Sequence, residues 1–182
     1  MSGRLFAVVG PSGVGKDTLL AGLCGADGPH WVRRVITRPE TAGGEPFEGV
    51  SDAEFTRREA LGQFALVWRA HGLAYGIPHD ELAPLRQGRD VVFNGSRAAL
   101  AAATAAFPDL RVIHVTARPE VLARRLHGRG RETLDEIAAR LARDAGGIPA
   151  GLPVIEIAND ATPREGIARL RAALQPSRMR CN

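Results

Sequence analysis

The clearest chemistry in this chain lies in Gly10-Pro11-Ser12-Gly13-Val14-Gly15-Lys16-Asp17-Thr18. The stretch fits the spacing G-x-x-x-x-G-K, directly after the apolar run Leu5 to Val9 and directly before a helix-forming segment. Glycines at this spacing let the backbone wrap until successive N–H groups face one anion, and the following helix adds the positive end of its dipole. Lys16 supplies a compact point charge suited to the outer phosphates of a nucleotide, where arginine's broad planar fork fits poorly. Of the 24 Lys and Arg residues in the chain, Lys16 is the only lysine. The alternative is an ordinary glycine-rich turn between a strand and a helix, and both the context and the sole lysine argue against it.

One position departs from the pattern. A hydroxyl residue normally follows the lysine and binds Mg²⁺, but here Asp17 intervenes before Thr18. A carboxylate is also missing at the end of a later apolar strand, because Asp90-Val-Val-Phe-Asn94 ends in asparagine. The two departures compensate if Asp17 brings a carboxylate to the metal side and Asn94 offers a neutral oxygen, since Mg²⁺ accepts both kinds of donor. The competing reading is that Asp17 only caps the helix.

The remaining candidates are less specific. Arg125 and Arg129 lie four apart and share a helix face, after which Gly128 and Gly130 interrupt the helix. Taken alone, that is a basic helix face. Asn159-Asp160 reads alone as a turn before the last helix. His30, His79, His114 and His127 are dispersed without metal-ligand spacing, so no zinc site is expected. Trp31 and Trp68 read as packing residues.

These residues need a scaffold. Residues 4–9 read as a buried parallel strand, followed by the glycine loop and a helix over about 16–24. Residues 31–37 are strand-like, and 39–51, rich in Gly, Pro and Glu, read as a loop. Ser51-Asp52-x-Glu54 opens a capped helix over 52–61. Strands follow near 63–68 and 73–76, a helix at 79–87 ending at Gly88, and a strand at 90–94. Then come an alanine-rich helix at 96–106, a strand at 110–116 and a helix from Pro119 to 127. A helix at 132–145 ending at Gly146-Gly147, a strand at 153–157, a helix at 163–174 and a frayed tail complete the chain. Strands alternating with helices indicate an α/β domain with a mostly parallel sheet, and the irregular middle stretch suggests an inserted subdomain.

Composition narrows the function classes. At 182 residues, 45% hydrophobic and 24% charged, the chain forms one domain with a real core. No apolar run is long enough for a membrane span, and the first residues do not read as a signal peptide. Two cysteines, Cys24 and Cys181, give no disulfide framework, so a cytoplasmic, reduced setting is expected. The net charge of +4 is spread over scattered arginines without interleaved aromatics, which suits a small anionic substrate better than nucleic acid.

With the phosphate loop, further segments resemble the guanylate-kinase-like kinases. These are Thr37-Arg38, Gly44-Glu45, Phe64, His71-Gly72-Leu-Ala-Tyr75-Gly76, Arg125-x-x-x-Arg129-x-Arg131-Glu132, Ile137-x-x-Arg140-Leu141 and Asn159-Asp160, in family order over nearly the whole chain. The resemblance implies a P-loop NTPase α/β fold with a core (1–33, 90–124, 146–176), an inserted acceptor-binding region (about 34–89), a helical lid (about 125–145) and a frayed tail (177–182). It implies ATP and Mg²⁺ as cofactors. Gly10 to Thr18, with Asn159 and Asp160, would hold the nucleotide. Lys16, Arg125, Arg129, Arg131 and Arg140 would be the catalytic cations.

Within this group the chain most resembles the ribose 1,5-bisphosphate phosphokinases, which make 5-phosphoribosyl 1-diphosphate from ATP during phosphonate breakdown. The specific matches are Lys16-Asp17 and Asn94-Gly95-Ser96-Arg97, supported by Ile36-Thr37-Arg38, Trp68-x-Ala70-x-Gly72-Leu-x-Tyr75-Gly76 and Arg129-Gly-Arg131-Glu132. Arg38, Arg69, Tyr75, Asn94 and Arg97 are then the acceptor-binding candidates, while His71 is expected to be structural. Guanylate kinases read guanine with two carboxylates, and their slots here hold Leu66 and Ser96. A buried donor without its acceptor costs about 1–3 kcal/mol, so guanine is a poor substrate for this site. A nucleoside monophosphate kinase and a non-catalytic scaffold remain as alternatives. The expected partners are ATP and a small phosphosugar, with no nucleic acid and no membrane; a homodimer is left open.

Overall fold

The computed structural model describes residues 3–23, 25, 28–42, 44–128, 148–149 and 151–175. Two sheets share one interior. In the first, β1 (Leu5–Val9) lies at the centre, between β7 (Val91–Asn94) and β8 (Arg111–Thr116). The short β2 (His30–Trp31) and β9 (Val154–Ala158) form its edges, and all its pairings are parallel. This is the α/β architecture that the alternation of strand and helix signals implies.

Each central strand is apolar on both faces, because helices cover one side and a second layer covers the other. Phe6, Val8, Val92, Ile113 and Val115 pack on Leu19 and Leu20 of α1 (Lys16–Ala21), Leu122 of α5 (Pro119–His127), and Leu170 and Leu174 of α6 (Pro163–Leu174). Leu5, Ala7, Val9, Val91 and Phe93 face the other way, onto Leu100 and Ala103 of α4 (Leu100–Ala106). Fully burying a side chain such as Leu20 or Phe6 is worth about 1.5–3 kcal/mol.

The second sheet has the order β4-β3-β6-β5, from β3 (Arg34–Ile36), β4 (Phe47–Gly49), β5 (Phe64–Ala70) and β6 (Leu73–Pro78). Leu66, Trp68 and Ile77 from this sheet join the same core cluster as Leu5 and Phe93, so the two sheets are tied by apolar packing. β5 and β6 form a hairpin whose two-residue turn, His71 (φ 53°) and Gly72 (φ 75°), has the doubly left-handed backbone that matches strand twist. On its outer side lies α2 (Asp52–Ala60), capped by Ser51, whose hydroxyl accepts from the Glu54 N–H.

The structure corrects several expected elements. The strand expected over 31–37 is two strands in different sheets. Val32 N–H still bonds to Val92 of β7, but Arg33 N–H donates to the Glu81 carboxylate at 2.9 Å, and the chain leaves the first sheet there. The loop expected over 39–51 contains a 3₁₀ turn, Glu40–Ala42, and β4, which pairs in parallel with β3 and buries Phe47. The helix expected at 79–87 is a 3₁₀ turn, Asp80–Leu82, followed by the single turn α3 (Ala83–Arg86). Arg97–Ala99 is likewise a 3₁₀ turn leading into α4. The helix expected at 132–145, Gly146-Gly147 and residues 177–182 lie outside the described residues. No helix among the described residues is long and apolar enough to cross a membrane.

Candidate functional site

A cavity of about 510 Å³ opens between the two sheets, at the carboxyl ends of β1 and β7. Open parallel sheets bind ligands at that end, because the loops leaving neighbouring strands diverge there. One end of the cavity is the glycine loop, and the other is the inner wall of the second sheet.

The glycine loop is held by backbone geometry. Gly15, at the N-cap of α1, has φ 96°, and a Cβ there would come 2.9 Å from Asn159 Nδ2. Gly13 has φ 81° and lies against Leu126 of α5, 2.9 Å from where a Cβ would sit. Both positions therefore need glycine for conformation and for space. Lys16 Nζ arches back over the loop and donates to Gly10 O at 2.7 Å and Pro11 O at 3.2 Å. The cradle is closed underneath by Asn159, which is 4% exposed and donates from Nδ2 to Val14 O at 2.7 Å. On the outside, Arg125 donates to Val14 O at 3.2 Å and to Ala161 O at 3.4 Å.

Asp17 does not cap the helix, since α1 begins at Gly15 with no side-chain cap. Its Oδ1 accepts instead from Asn94 Nδ2 at 2.7 Å. A carboxylate has no proton to give, so this bond fixes which end of the Asn94 amide faces Asp17 and turns the amide oxygen away. A Cβ at Gly44 would lie 3.3 Å from Asp17 Oδ2 and 3.6 Å from Arg38 Nη2. Gly44 thus lies beside both the Arg38 guanidinium and the Asp17 carboxylate, on the side where a larger residue would carry its Cβ. Among the described residues no group of three or more His, Cys, Asp or Glu gathers to hold a metal. Asp17 is a hard oxygen donor, and Asn94, which meets it with its N–H end, braces it rather than adding an oxygen on that side; one carboxylate is too few to form a cage, an arrangement that fits Mg²⁺ shared with phosphates and water.

The far wall contains a residue that the sequence reading missed. Arg34 of β3 is 6% exposed, pairs with the buried Glu45 carboxylate, and lines the cavity. Its guanidinium lies 5.0 Å from the Tyr75 ring centroid and 5.5 Å from that of Trp68. Those two rings face each other across β5 and β6, stacked with centroids 5.1 Å apart and planes 5° from parallel. Burial pushes the Arg34 guanidinium down to about 10, with Tyr75 and Asp17 opposing that shift and Arg38 adding to it, so it stays charged at neutral pH. The signal that could have found it is spacing: Arg34 lies on a strand four residues before Arg38, and Glu45 directly follows Gly44.

Other candidates separate clearly. Arg38, Tyr75, Asn94 and Arg97 line the cavity, as do Ser96 and His71. The Arg38 guanidinium stacks 4.3 Å from the Phe47 ring centroid. Arg69 does not line the cavity. Strand alternation turns Trp68 inward and Arg69 outward, where it pairs with Glu59 at 2.7 Å with its side chain 62% exposed. Asn159 and Asp160 also face elsewhere: Asn159 braces the glycine loop, and Asp160 accepts from the Arg118 backbone N–H at 2.6 Å. Leu66 is buried in the core, and Ser96 Oγ is buried without a hydrogen-bond partner. Arg129, Arg131 and Arg140 lie outside the described residues.

Charge at the cavity is mainly positive, with Lys16, Arg34, Arg38 and Arg97 set against Asp17 and Glu45. Nearby, His114 on β8 is held below the ordinary histidine range by burial and by the Arg97 and Lys16 cations, with Glu156 opposing. Such a cavity suits two polyanionic ligands meeting end to end.

No protein-family model matches the chain. It is 51% identical over 180 residues to the ribose 1,5-bisphosphate phosphokinase PhnN of Ruegeria sp., covering 97% of this chain and 94% of that one. The corresponding protein of Agrobacterium fabrum is 44% identical over 177 residues, covering 95% and 97%. A bifunctional ribose 1,5-bisphosphokinase-thymidine phosphorylase of Cupriavidus necator is 47% identical over 176 residues, and there the chain spans only 29% of the relative's length. Among solved structures, guanylate kinase from Anaplasma phagocytophilum superposes with a TM-score of 0.67 at 18% identity, covering 97% of this chain and 88% of that one. With the glycine loop, the parallel sheet and nearly full-length relatives in agreement, the chain belongs to the ribose 1,5-bisphosphate phosphokinase family, built on a guanylate-kinase-like fold.

Proposed function

We propose that this protein transfers the γ-phosphoryl group of ATP to the anomeric phosphate of ribose 1,5-bisphosphate, giving 5-phosphoribosyl 1-diphosphate and ADP, as a step of phosphonate degradation. One observation carries the reading. The cavity pairs a phosphate loop with a wall of arginines: Lys16, Arg34, Arg38 and Arg97 line it against the carboxylates of Asp17, which accepts from Asn94, and Glu45, which pairs with Arg34. A guanine base needs acceptors for its N–H groups, and Leu66 and Ser96 provide no carboxylate. A phosphosugar needs cations and hydroxyl partners, which the wall has.

The acceptor phosphate is already ionised at neutral pH, so an oxygen of the 1-phosphate attacks the γ-phosphorus, the bond to the ADP oxygen breaks, and no general base is required. Catalysis is then positioning and charge neutralisation. Lys16 takes the β- and γ-phosphates. Arg38, Tyr75 and Arg97 hold the reacting phosphate in line. Asp17, with Asn94 beside it, would hold Mg²⁺, which would neutralise phosphate charge. Residues about 34–89 serve as the acceptor-binding insert. The family resemblance assigns about 125–145 to a lid and Arg125, Arg129, Arg131 and Arg140 to the transferring group, whose charge they would neutralise. Asn159 acts by holding the loop rather than by touching adenine.

Phosphorus NMR of a reaction with ATP, Mg²⁺ and ribose 1,5-bisphosphate tests this reading. The anomeric phosphate resonance converts to the coupled pair of a diphosphate as ADP forms. ADP formation with free inorganic phosphate and an unchanged sugar would overturn it.

A further inference from the structure

We infer that Arg34 reads the phosphate of the acceptor that does not react, the 5-phosphate, and so sets the acceptor class of this kinase. The inference rests on the phosphosugar reading above and adds a residue and a role to it.

Arg34 and Glu45 form a buried ion pair on a cavity wall. Buried pairs add little stability over well-packed apolar residues, so a pair in this place calls for another role. The pair is also incompletely satisfied: Arg34 Nε and Glu45 Oε2 are buried without hydrogen-bond partners. Glu45 holds one edge of the guanidinium, and the Trp68 and Tyr75 rings hold its plane. A guanidinium fixed in this way is preorganised, and its remaining donors match phosphate oxygens as a fork.

Position decides which phosphate it meets. The reacting phosphate must lie in line with the γ-phosphate, near Lys16, Asp17 and the Arg38 guanidinium beside Gly44. Arg34 lies on β3 of the second sheet, with its guanidinium against the Trp68 and Tyr75 rings. A pentose carrying a phosphate at each end can meet both groups, and the orphan Ser96 hydroxyl, which also lines the cavity, is a partner for a sugar hydroxyl.

The test compares two acceptors, ribose 1,5-bisphosphate and ribose 1-phosphate, on the unmodified protein and on Arg34→Ala. Removing Glu45's partner could unfold the insert, so Arg34→Met combined with Glu45→Gln, which keeps the wall neutral and filled, is measured alongside. The unmodified protein should prefer the bisphosphate by about a hundredfold in kcat/KM, mostly in KM. Either variant should lose that preference, falling about a hundredfold on the bisphosphate and less than about threefold on ribose 1-phosphate. Equal losses on both acceptors, or a preference retained by the neutral double variant, would overturn the inference while leaving the proposed function intact. Turnover of neither acceptor by the unmodified protein would overturn both.

Discussion

The two ends of the cavity are built by different means. At the nucleotide end the backbone does the work: Gly13 and Gly15 occupy left-handed conformations in spaces closed by Leu126 and Asn159, and Lys16 folds over its own loop. At the acceptor end side chains from distant strands do it: Arg34 from β3, Tyr75 from β6 and Trp68 from β5, with Glu45 from the connection between β3 and β4. A backbone cradle recognises any phosphate chain and is hard to retune. A side-chain wall specifies one acceptor and can be rebuilt by a few substitutions. The fold itself is shared with a guanylate kinase, so the difference in acceptor must lie in such a wall.

The largest effect should come from Lys16→Ala, which removes the lysine that folds over the cradle. We expect kcat to fall by about 10²–10³-fold or more, and Lys16→Arg to recover little of it, because the fork does not fit the loop. A coupled ADP-release assay checks this. Gly15→Ala comes next: its φ of 96° and the 2.9 Å approach to Asn159 Nδ2 add about 1–2 kcal/mol of strain to the cradle. Nucleotide affinity should fall about tenfold while the acceptor KM is unchanged. If both constants move together, the two ends are not the separate devices described here.

Asp17→Ala tests where the metal belongs. Half-saturation by Mg²⁺ should shift upward by about tenfold, while Thr18→Ala shifts it less. An unchanged Mg²⁺ dependence for Asp17→Ala would remove Asp17 from the metal side. The smallest effect should be that of Arg69→Ala. Its pair with Glu59 is exposed, so acceptor KM should stay within about twofold. A large KM effect there would place the acceptor wall on the wrong face of β5.

The same contrast explains what could be read from the chain. The cradle was legible because its physics is local: glycine spacing, a preceding apolar strand, a following helix and one lysine. Helix starts at Ser51 and Pro119 were legible for the same reason, since caps and N1 prolines act within one turn. At Thr162 the structure adds a reciprocal capping box with Glu165. The acceptor wall was not legible, because an arginine reads as surface until its partners arrive from other strands. Arg34 and Glu45 are 11 residues apart in sequence, and Tyr75 joins them only through the β3–β6 and β5–β6 pairings. β4 was hidden in a loop-like composition because its pairing with β3 is tertiary. Asn159 illustrates a middle case: its place after the last strand was readable, but its role as a brace under Val14 depends on a contact 145 residues back in the chain.

The central claim is that this cavity recognises phosphate at its acceptor end and not a base. The most direct test is the ratio of kcat/KM for ribose 1,5-bisphosphate to that for GMP, measured on the same preparation at the same ATP and Mg²⁺. A ratio of about 10³ or more in favour of the phosphosugar is predicted, because a base would leave its donors without acceptors. A ratio below one, with GMP as the preferred acceptor, would contradict it.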